Sequence, residues 1–436
     1  MKITLSKANK IEGTIEVPAD KSITHRAIML SSLAQGRSIV RNYLPSDDCI
    51  RTIDAFKKMG VEIKQDAKNL YIKGIGLKLN KPRGEIYAGN SGTTTRLISG
   101  ILAGQTFESV ITGDESLSKR PMRRVIDPLT KMGAQFMSNN GLLPLKIKGQ
   151  NPLNAISYES DKSSAQVKSA VLFAGLYAKG KTVYIEPVKS RDHSERMLKA
   201  FGAQVEIDRN NVSNNVSNKV SILPAQKLNP QDISVPGDIS SAAFFIAAAL
   251  LVPNSNLTIK NVNVNPTRDG FIEVLQKMGA DISINNVKEV SGEPVADIAV
   301  KYSKLKSLNL DAQIIPRMID EIPIFALIAS KAQGVSKVSG AGELRVKESD
   351  RIAAIVSQFS KIGVEIKEFE DGFEINGRGD FAPKAAEVES YKDHRIAMTL
   401  AVASLISQGE TTINDAECVN ISFPNFYELL KSASKS

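Results

Sequence analysis

The chain has 436 residues, of which 42% are apolar and 24% charged, and its net charge is +9. This composition excludes a disordered or fibrous chain, and the length favours two or three domains of about 150 residues each. The longest apolar run, 242–252, has 11 residues, whereas a membrane-spanning helix needs about 20. We therefore expect a cytoplasmic protein with no membrane segment.

Metal-binding and disulfide-rich classes are also disfavoured. The two cysteines cannot form a disulfide framework, and the three histidines are scattered without paired spacing. The sequence accordingly predicts no metal and no cofactor. The positive charge leaves nucleic acid or acidic small molecules as ligands, but the chain has no tryptophan and no basic tail. Because single-stranded nucleic acids are usually bound on aromatic platforms, we expect no nucleic-acid partner.

One type of segment recurs along the chain as a polar cap, an apolar helix rich in small residues, and a helix stop. Its six copies are 20–36, 90–104, 163–180, 238–254, 320–334 and 393–409. Five of them end at a glycine, and successive copies lie about 70 to 75 residues apart. A helix that is apolar around most of its circumference is buried on all sides, so these helices should form the core.

A second type of segment alternates with the first and has apolar residues at steps of three and four. Its copies are 50–63, 124–136, 196–205, 271–282, 355–366 and, near the C-terminus, 426–434. This spacing predicts amphipathic helices, and the glycine after five of them predicts the helix end. The β-branched residues that follow predict strands.

These patterns predict an α/β protein with six repeats, in which sheets surround the buried helices. Six repeats are too many for one core, so we expect two domains of three repeats each. Pro236-Gly237 marks the predicted boundary, and the Asn/Ser-rich stretch 210–218 is expected to be a loop tip or turn.

The first residues of the six buried helices are all of types that cap a helix, namely Asp20, Asn90, Ser163, Asp238, Asp320 and Asp393. Capping does not explain the basic residues beside them, such as Lys21, Arg96 and Arg395. Because a helix N-terminus is already partly positive, cations placed there favour a bound anion. Arg120 and Arg191 add charge at turns. The sequence predicts a cleft for a phosphate-bearing ligand.

Two acidic positions depart from this basic pattern. Asp320 opens a predicted helix, and Glu348 lies between Lys347 and Arg351. Each can be interpreted as an ordinary cap or salt bridge, or as an acid or base that acts inside a cation-lined cleft. The residues alone leave both interpretations open.

Nine motifs in order along the chain resemble those of the 5-enolpyruvylshikimate-3-phosphate synthase family. They are DKSITHRA, GNSGTTTRL, SLSKRPMRR, SSAQVKSA, SRDHSERM, PGDISSAAF, DEIP, RVKESDRI and DHRIAM. The resemblance implies a two-domain, inside-out α/β barrel with three βαβαββ units per domain. It implies domains of 18–235 and of 1–17 plus 236–436, with the active site in the cleft between them.

The resemblance also implies a transferase of the shikimate pathway, which leads to chorismate and the aromatic amino acids. Such enzymes move the enolpyruvyl group of phosphoenolpyruvate to the 5-hydroxyl of shikimate 3-phosphate, and the family is the target of glyphosate. The residues implied for shikimate 3-phosphate are Lys21, Ser22, Arg26, Ser164, Gln166, Arg191, Asp320 and Lys347. Those implied for phosphoenolpyruvate are Lys21, Gly92, Arg120, Gln166, Arg351 and Arg395. The implied catalytic residues are Asp320, Glu348 and Lys21, and the implied protein is a monomer.

Two features depart from the main pattern of the family. Ile421 stands where many relatives have a lysine that reaches phosphoenolpyruvate, and Leu97 stands where the other main class has proline. Both favour the second class of the family. The alternatives are the sister enzyme that acts on UDP-N-acetylglucosamine, and a nucleic-acid-binding or RNA-cyclase-like protein on a related fold. The sister enzyme has a Lys-Asn opening and a loop cysteine, whereas this chain has Lys21-Ser22 and no cysteine in the 113–124 loop.

Overall fold

The chain forms two compact units in the computed structural model, which describes residues 1–212 and 215–435. The N unit consists of Ala19–Val235 and Val290–Glu293. The C unit consists of Met1–Pro18, Pro236–Glu289 and the chain from Pro294 onward. Nothing in the sequence had indicated that the short segment Val290–Glu293 groups with the N unit.

Helices and strands alternate along both units. The helices are α1 Lys21–Leu33, α2 Asp47–Lys58, α3 Gly92–Ala103, α4 Glu115–Ser118, α5 Arg123–Lys131, α6 Ala165–Gly175, α7 His193–Ala200, α8 Ile239–Leu251, α9 Gly270–Lys277, α10 Ile315–Met318, α11 Ile322–Lys331, α12 Arg351–Lys361, α13 His394–Ser404 and α14 Phe426–Ala433. Short 3-10 helices lie at Gly342–Val346 and Ala416–Ile421. The strands are β1 Ile3–Leu5, β2 Lys10–Glu16, β3 Gln35–Arg41, β4 Glu62–Gln65, β5 Asn69–Ile75, β6 Ile86–Tyr87, β7 Glu108–Thr112, β8 Gln135–Asn139, β9 Leu142–Lys148, β10 Ser157–Glu159, β11 Thr182–Glu186, β12 Val205–Val212, β13 Asn215–Ile222, β14 Ile233–Ser234, β15 Asn256–Asn263, β16 Asp281–Val290, β17 Glu293–Lys301, β18 Gly334–Val338, β19 Ile366–Phe369, β20 Gly372–Gly377, β21 Glu387–Glu389, β22 Thr411–Asn414 and β23 Ser434–Lys435.

The N unit repeats one sheet plan three times. Its four-stranded sheets have the orders β14-β3-β5-β4, β6-β7-β9-β8 and β10-β11-β13-β12. In each sheet the first pair of strands is parallel and the other pairs are antiparallel. The first of these sheets contains a strand from much later in the chain. β14, which lies just before Pro236 of the C unit, pairs with β3 of the first repeat.

The sheets of the C unit follow a related plan that uses the N-terminus of the chain. Their orders are β16-β17-β15-β2-β23, β18-β20-β19 and β1-β22-β21. β2 pairs in parallel with β15, and β1 pairs antiparallel with β22. Within the described residues there are thus six sheets, all of them open, and none closes into a barrel.

Three helices of each unit are buried, as the sequence predicted. All 13 residues of α8 are buried, and α13 is likewise buried along its whole length. In the N unit, α3 lies so close to α6 that a Cβ on Gly100 would be 2.1 Å from the carbonyl oxygen of Ala170. Each unit has its own continuous hydrophobic core. The predicted mixed α/β class with helices in the core is therefore confirmed.

The glycines that follow the two kinds of helix have different roles. Gly60, which follows α2, has a φ of +90°, and the glycines after α5, α7, α9 and α12 also have positive φ. This left-handed geometry ends a helix and favours glycine, as expected. Of the five buried helices predicted to stop at a glycine, α3 does so, with Gly104 as its C-cap. The prediction is wrong for the other four: Gly36 lies inside β3, Gly334 begins β18, and α6 and α13 end five residues before Gly180 and Gly409.

The prediction of a loop tip or turn at 210–218 is also wrong over most of that stretch. β12 runs to Val212 and β13 starts at Asn215, so this asparagine-rich stretch belongs to an antiparallel pair. The central residues 213 and 214 lie outside the described residues. Asparagine is depleted in strands, but the paired strands override that local preference.

Candidate active site

The helix N-termini are where the sequence placed the candidate site, and the structure corrects some of their caps. Three predicted caps accept a backbone hydrogen bond, namely Asp20, Asp238 and Asp393. Elsewhere the cap lies one residue later than predicted, at Ser91 for α3 and Ser164 for α6. α11 follows Glu321, which makes no capping bond with its side chain. Asp320 is therefore not the cap of α11, and its carboxylate has other contacts.

Two arginines converge on the N-terminus of α3. A Cβ built on Gly92 would lie 3.0 Å from Nη1 of Arg96 and 3.5 Å from Nη1 of Arg120. Arg120 donates to the side chain of Asn90 at 2.5 Å and to its carbonyl at 3.1 Å. Arg96 donates to Oε1 of Gln166 at 2.6 Å. Two nearly buried guanidinium groups thus flank a glycine at the positive end of a helix, which is a suitable site for an anion.

The first two turns of α1 carry two more predicted cations of the N unit, Lys21 and Arg26. Nζ of Lys21 donates to Asp48 at 3.0 Å, and the carbonyl of Asp48 accepts from Thr94 of α3 at 3.4 Å. Arg26 is 2% exposed and donates to Ser194 at 2.6 Å and Ser169 at 2.8 Å. The structure therefore connects the starts of α1, α3 and α6, although Arg26 already uses part of its hydrogen-bonding capacity inside the protein.

The remaining predicted residues of the N unit lie at the same helix starts. Ser22 is the second residue of α1, and its carbonyl accepts from Arg26. Ser164 caps α6 through the backbone N–H of Val167. Arg191 is half-buried in the loop between β11 and α7.

A buried cluster of charged side chains supports that loop. Lys168 lies 2.8 Å from both Glu186 and Glu195, and all three side chains are almost completely buried. Glu186 also accepts from the backbone N–H and the hydroxyl of Ser190, the residue before Arg191. Lys168 was not predicted to have a role, because the sequence of an apolar helix does not show which residues the fold brings to its lysine.

In the C unit, the predicted residues Asp320, Glu348, Arg351 and Arg395 lie together, and the buried guanidinium of Arg351 contacts both carboxylates. Arg351 is 1% exposed and donates to Asp393 at 2.8 Å, to Glu348 at 2.6 Å and to Asp320 at 3.4 Å. Nε of Arg395 lies 3.5 Å from the Asp320 carboxylate, and its Nη1 donates to the Asp320 carbonyl at 3.2 Å. We call these five residues the arginine–carboxylate cluster. Asp393 was predicted only as a cap, and its contact with Arg351 was missed.

Charge and burial set the protonation states in this cluster. Burial acts to raise the pKa of Asp393, but the charge and the hydrogen bond of Arg351, together with His394, hold that pKa below its ordinary value. For Lys347, burial and the positive charge of Arg351 together lower the pKa to about 8. The carboxylates of Asp320, Glu348 and Glu343 oppose that shift without cancelling it. Lys347 can therefore lose or gain a proton near neutral pH.

The two departures in sequence also have structural counterparts. Ile421 ends the 3-10 helix Ala416–Ile421 and packs, partly buried, against the core of the C unit. Leu97 is fully buried inside α3. Among the described residues, no group of three or more His, Cys, Asp or Glu side chains is arranged to hold a metal ion. Over the same residues, no helix is long and apolar enough to span a membrane.

The fold is shared with enolpyruvyl transferases. One solved structure with this fold is the enolpyruvyl transferase NikO from Streptomyces tendae, at a TM-score of 0.76 and 14% identity over 99% of this chain and 97% of that one. That likeness concerns the fold alone. EPSP synthase from Acinetobacter baumannii matches at a TM-score of 0.86 with 41% identity, over 100% of this chain and 98% of that chain.

Sequence comparison identifies the family to which the chain belongs. The family model for EPSP synthase (3-phosphoshikimate 1-carboxyvinyltransferase) matches residues 5–430. The 3-phosphoshikimate 1-carboxyvinyltransferase of Endomicrobium trichonymphae is 66% identical over 99% of both chains. The chain therefore belongs to the EPSP synthase family.

Proposed function

We propose that this protein transfers the enolpyruvyl group of phosphoenolpyruvate to the 5-hydroxyl of shikimate 3-phosphate and releases phosphate. Family membership over 5–430 supports the reaction class. The observation that carries the proposal is the arginine–carboxylate cluster, because it places two arginines beside two partly exposed carboxylates. Addition to phosphoenolpyruvate requires both kinds of group: cations for the anionic substrate and carboxylates for proton transfer.

The reaction balances in two steps. First, the 5-hydroxyl oxygen bonds to C2 of phosphoenolpyruvate, the hydroxyl loses its proton to a base, and C3 gains a proton from an acid. The tetrahedral intermediate then loses a proton from C3, and the bond between C2 and the phosphate oxygen breaks. We assign the acid and base roles to Asp320 and Glu348, with Lys21 as a further proton carrier. The two carboxylates share one arginine, so we assign the acid and base roles to them as a pair.

For phosphoenolpyruvate, we propose binding by arginines from both units. Gly92 and Arg120 form part of the anion site at the start of α3, where absence of a side chain keeps the two guanidinium groups accessible to a phosphate. Arg351 and Arg395 would hold the carboxylate and phosphate from the C unit. Arginine suits this role because its planar fork binds such groups through two parallel hydrogen bonds. Gln166 and Lys21 are the other two residues that we propose to bind phosphoenolpyruvate.

For shikimate 3-phosphate, we propose the remaining polar groups at the helix starts. They are Lys21, Ser22, Arg26, Ser164, Gln166, Arg191, Asp320 and Lys347. The proposed set includes residues of the N unit and residues of the C unit. The protein would act as a monomer without a cofactor, and the cytoplasmic location stays a prediction.

The test is a coupled phosphate-release assay with phosphoenolpyruvate as donor. Release with shikimate 3-phosphate, and none with UDP-N-acetylglucosamine, is the expected result. Release only with the UDP-sugar would replace the proposal with the sister reaction. Loss of release in Glu348→Gln, with an unchanged melting temperature, would connect the activity to the arginine–carboxylate cluster. A fully active Glu348→Gln would remove the proposed role of that carboxylate.

A further inference from the structure

Two of the proposed active-site residues lie in a segment without regular structure. Lys347 and Glu348 fall between the 3-10 helix Gly342–Val346 and α12, and Lys347 itself is extended. Catalytic groups have to be held to within about 0.5 Å of their productive positions, and loops hold side chains less firmly than helices or strands do. Contacts with neighbouring elements therefore have to fix this segment.

Arg345 makes four hydrogen bonds next to this segment. Nε donates to the carbonyl of Glu370 at 2.7 Å, and Nη2 donates to the carbonyl of Phe369 at 2.7 Å and to the carboxylate of Glu368 at 2.8 Å. Nη1 donates to the carboxylate of Asp350 at 2.8 Å. Two acceptors thus belong to the end of β19 and one to the turn between β19 and β20, while the fourth, Asp350, lies immediately before α12.

The side chain of Asp350 connects Arg345 to the start of α12. We call Arg345, Asp350 and the acceptors at residues 368–370 the clamp. Its Oδ1 caps α12 by accepting from the N–H of Ala353 at 3.0 Å, while its Oδ2 accepts from Arg345. The same β19–β20 turn also holds the beginning of the segment, since Asp371 accepts from the backbone N–H of Gly340 and of Ala341. The chain on both sides of Lys347 and Glu348 is therefore tied to residues 368–371, at the end of β19 and in the turn that follows it.

We propose that Arg345 is a positioning residue, which fixes the Lys347–Glu348 segment and the first residue of α12, Arg351, in their productive geometry. The inference rests on the function proposed above for those residues. Arginine is required because the four acceptors lie in different directions, and its planar guanidinium carries five donors in a fixed arrangement. The single ammonium of a lysine cannot replace that arrangement.

The alternative is that Arg345 contributes only to surface charge pairing. Its side chain is 26% exposed, and those of Asp350 and Glu368 are each 40% exposed. Exposed ion pairs of this kind have small effects on stability. That alternative predicts that Arg345→Lys, which keeps the charge, leaves turnover unchanged. The positioning role predicts a loss of turnover that is larger than any loss of stability.

The experiment compares Arg345→Lys, Arg345→Ala and Glu368→Gln with the wild type. We expect kcat to fall about 10- to 100-fold in the two Arg345 variants and less in Glu368→Gln, because misplacement by about 1 Å can cost 100-fold. The KM for shikimate 3-phosphate should change less than kcat, and the melting temperature should change little. The matched control is Arg41→Lys, which alters an exposed arginine paired with Asp232 in the N unit and should keep the wild-type kcat.

A second readout is independent of the reaction. Hydrogen exchange of the amides in 342–350 should become faster in Arg345→Lys, while the rest of the C unit keeps its protection. A wild-type kcat in Arg345→Lys and Arg345→Ala would overturn the proposal, and so would unchanged exchange in this segment. If Arg345→Ala does not fold, Arg345→Lys and Glu368→Gln decide the question. If the wild type releases no phosphate, the proposed function fails, and the exchange data alone still support or overturn the clamp.

Discussion

Replacement of Asp320 by asparagine separates catalysis from structure within the arginine–carboxylate cluster. The substitution keeps the size of the side chain and removes its charge. Asp320 is 16% exposed, and its carboxylate lies 3.4 Å from Arg351 and 3.5 Å from Arg395. These distances are long for charge-assisted hydrogen bonds, so the structure assigns only a modest contribution to folding.

The expected magnitudes follow from these contacts. Arg351 keeps Glu348 at 2.6 Å and Asp393 at 2.8 Å after the change, whereas the nearly buried Arg395 loses its carboxylate partner and keeps the carbonyl of residue 320 at 3.2 Å. We expect a loss of about 1–3 kcal/mol in the free energy of unfolding, as for a buried group that loses one partner. Removal of a catalytic acid or base costs about 100- to 10,000-fold in rate. Turnover should therefore fall by at least about 100-fold while the protein remains folded.

Asp393→Asn is the matched comparison, since it removes the same charge from the same arginine. Asp393 is completely buried and pairs with a guanidinium that is 1% exposed. Loss of one partner of a buried pair costs about 3 to 5 kcal/mol, so this variant should melt much earlier. Both variants are measured by phosphate release at saturating substrate and by thermal unfolding. Normal turnover in Asp320→Asn, with a lowered melting temperature, would refute the catalytic assignment.

Three other changes test separate parts of the structure. Arg120→Ala should raise the KM for phosphoenolpyruvate about 10- to 100-fold in steady-state kinetics, since a hydrogen bond to a charged group contributes about 1.5–3 kcal/mol; Lys119→Ala, at an exposed neighbour, should not. Gly100→Ala should destabilise the protein in urea by about 1–3 kcal/mol through overpacking, because its Cβ would meet a backbone oxygen of α6 at 2.1 Å. Gly180→Ala, whose nearest contact would be 3.7 Å, should be nearly neutral. Finally, if charged Lys347 binds substrate, kcat/KM should decline as pH rises through about 8, where Lys347 loses its proton. Lys347→Arg should abolish that decline, because arginine stays charged. A decline that persists in this variant would contradict the assignment.

Much of the fold could be predicted because the same two local patterns recur six times. An apolar helix and an amphipathic helix each have a periodicity that can be read within one window, so α8 and α12 are evident from their residues alone. The errors occur where pairing over long distances decides the structure. Gly36 belongs to β3 because that strand pairs with β5 from Gln35 onward, and no local pattern contains that information.

The candidate site shows the same division between local and distant information. A cap type before an apolar helix indicates a helix start to within one residue, which is why Ser91 and Ser164 were missed by one position. The partners of Arg351 could not be derived in this way. Asp393 lies 42 residues further along the chain, and only the packing of α12 against α13 brings the two side chains together.

Burial distinguishes the roles of the three carboxylates around Arg351. Asp393 is completely buried, caps α13 and holds Nε of the arginine, so an arriving substrate could displace it only by leaving a buried charge uncompensated. Asp320 and Glu348 are 16% and 19% exposed, and their contacts can be exchanged for those of an anion at lower cost. One carboxylate therefore fixes the guanidinium, and the other two are those that we propose for proton transfer. The sequence, in which all three are equally acidic neighbours of basic residues, contains no sign of this difference.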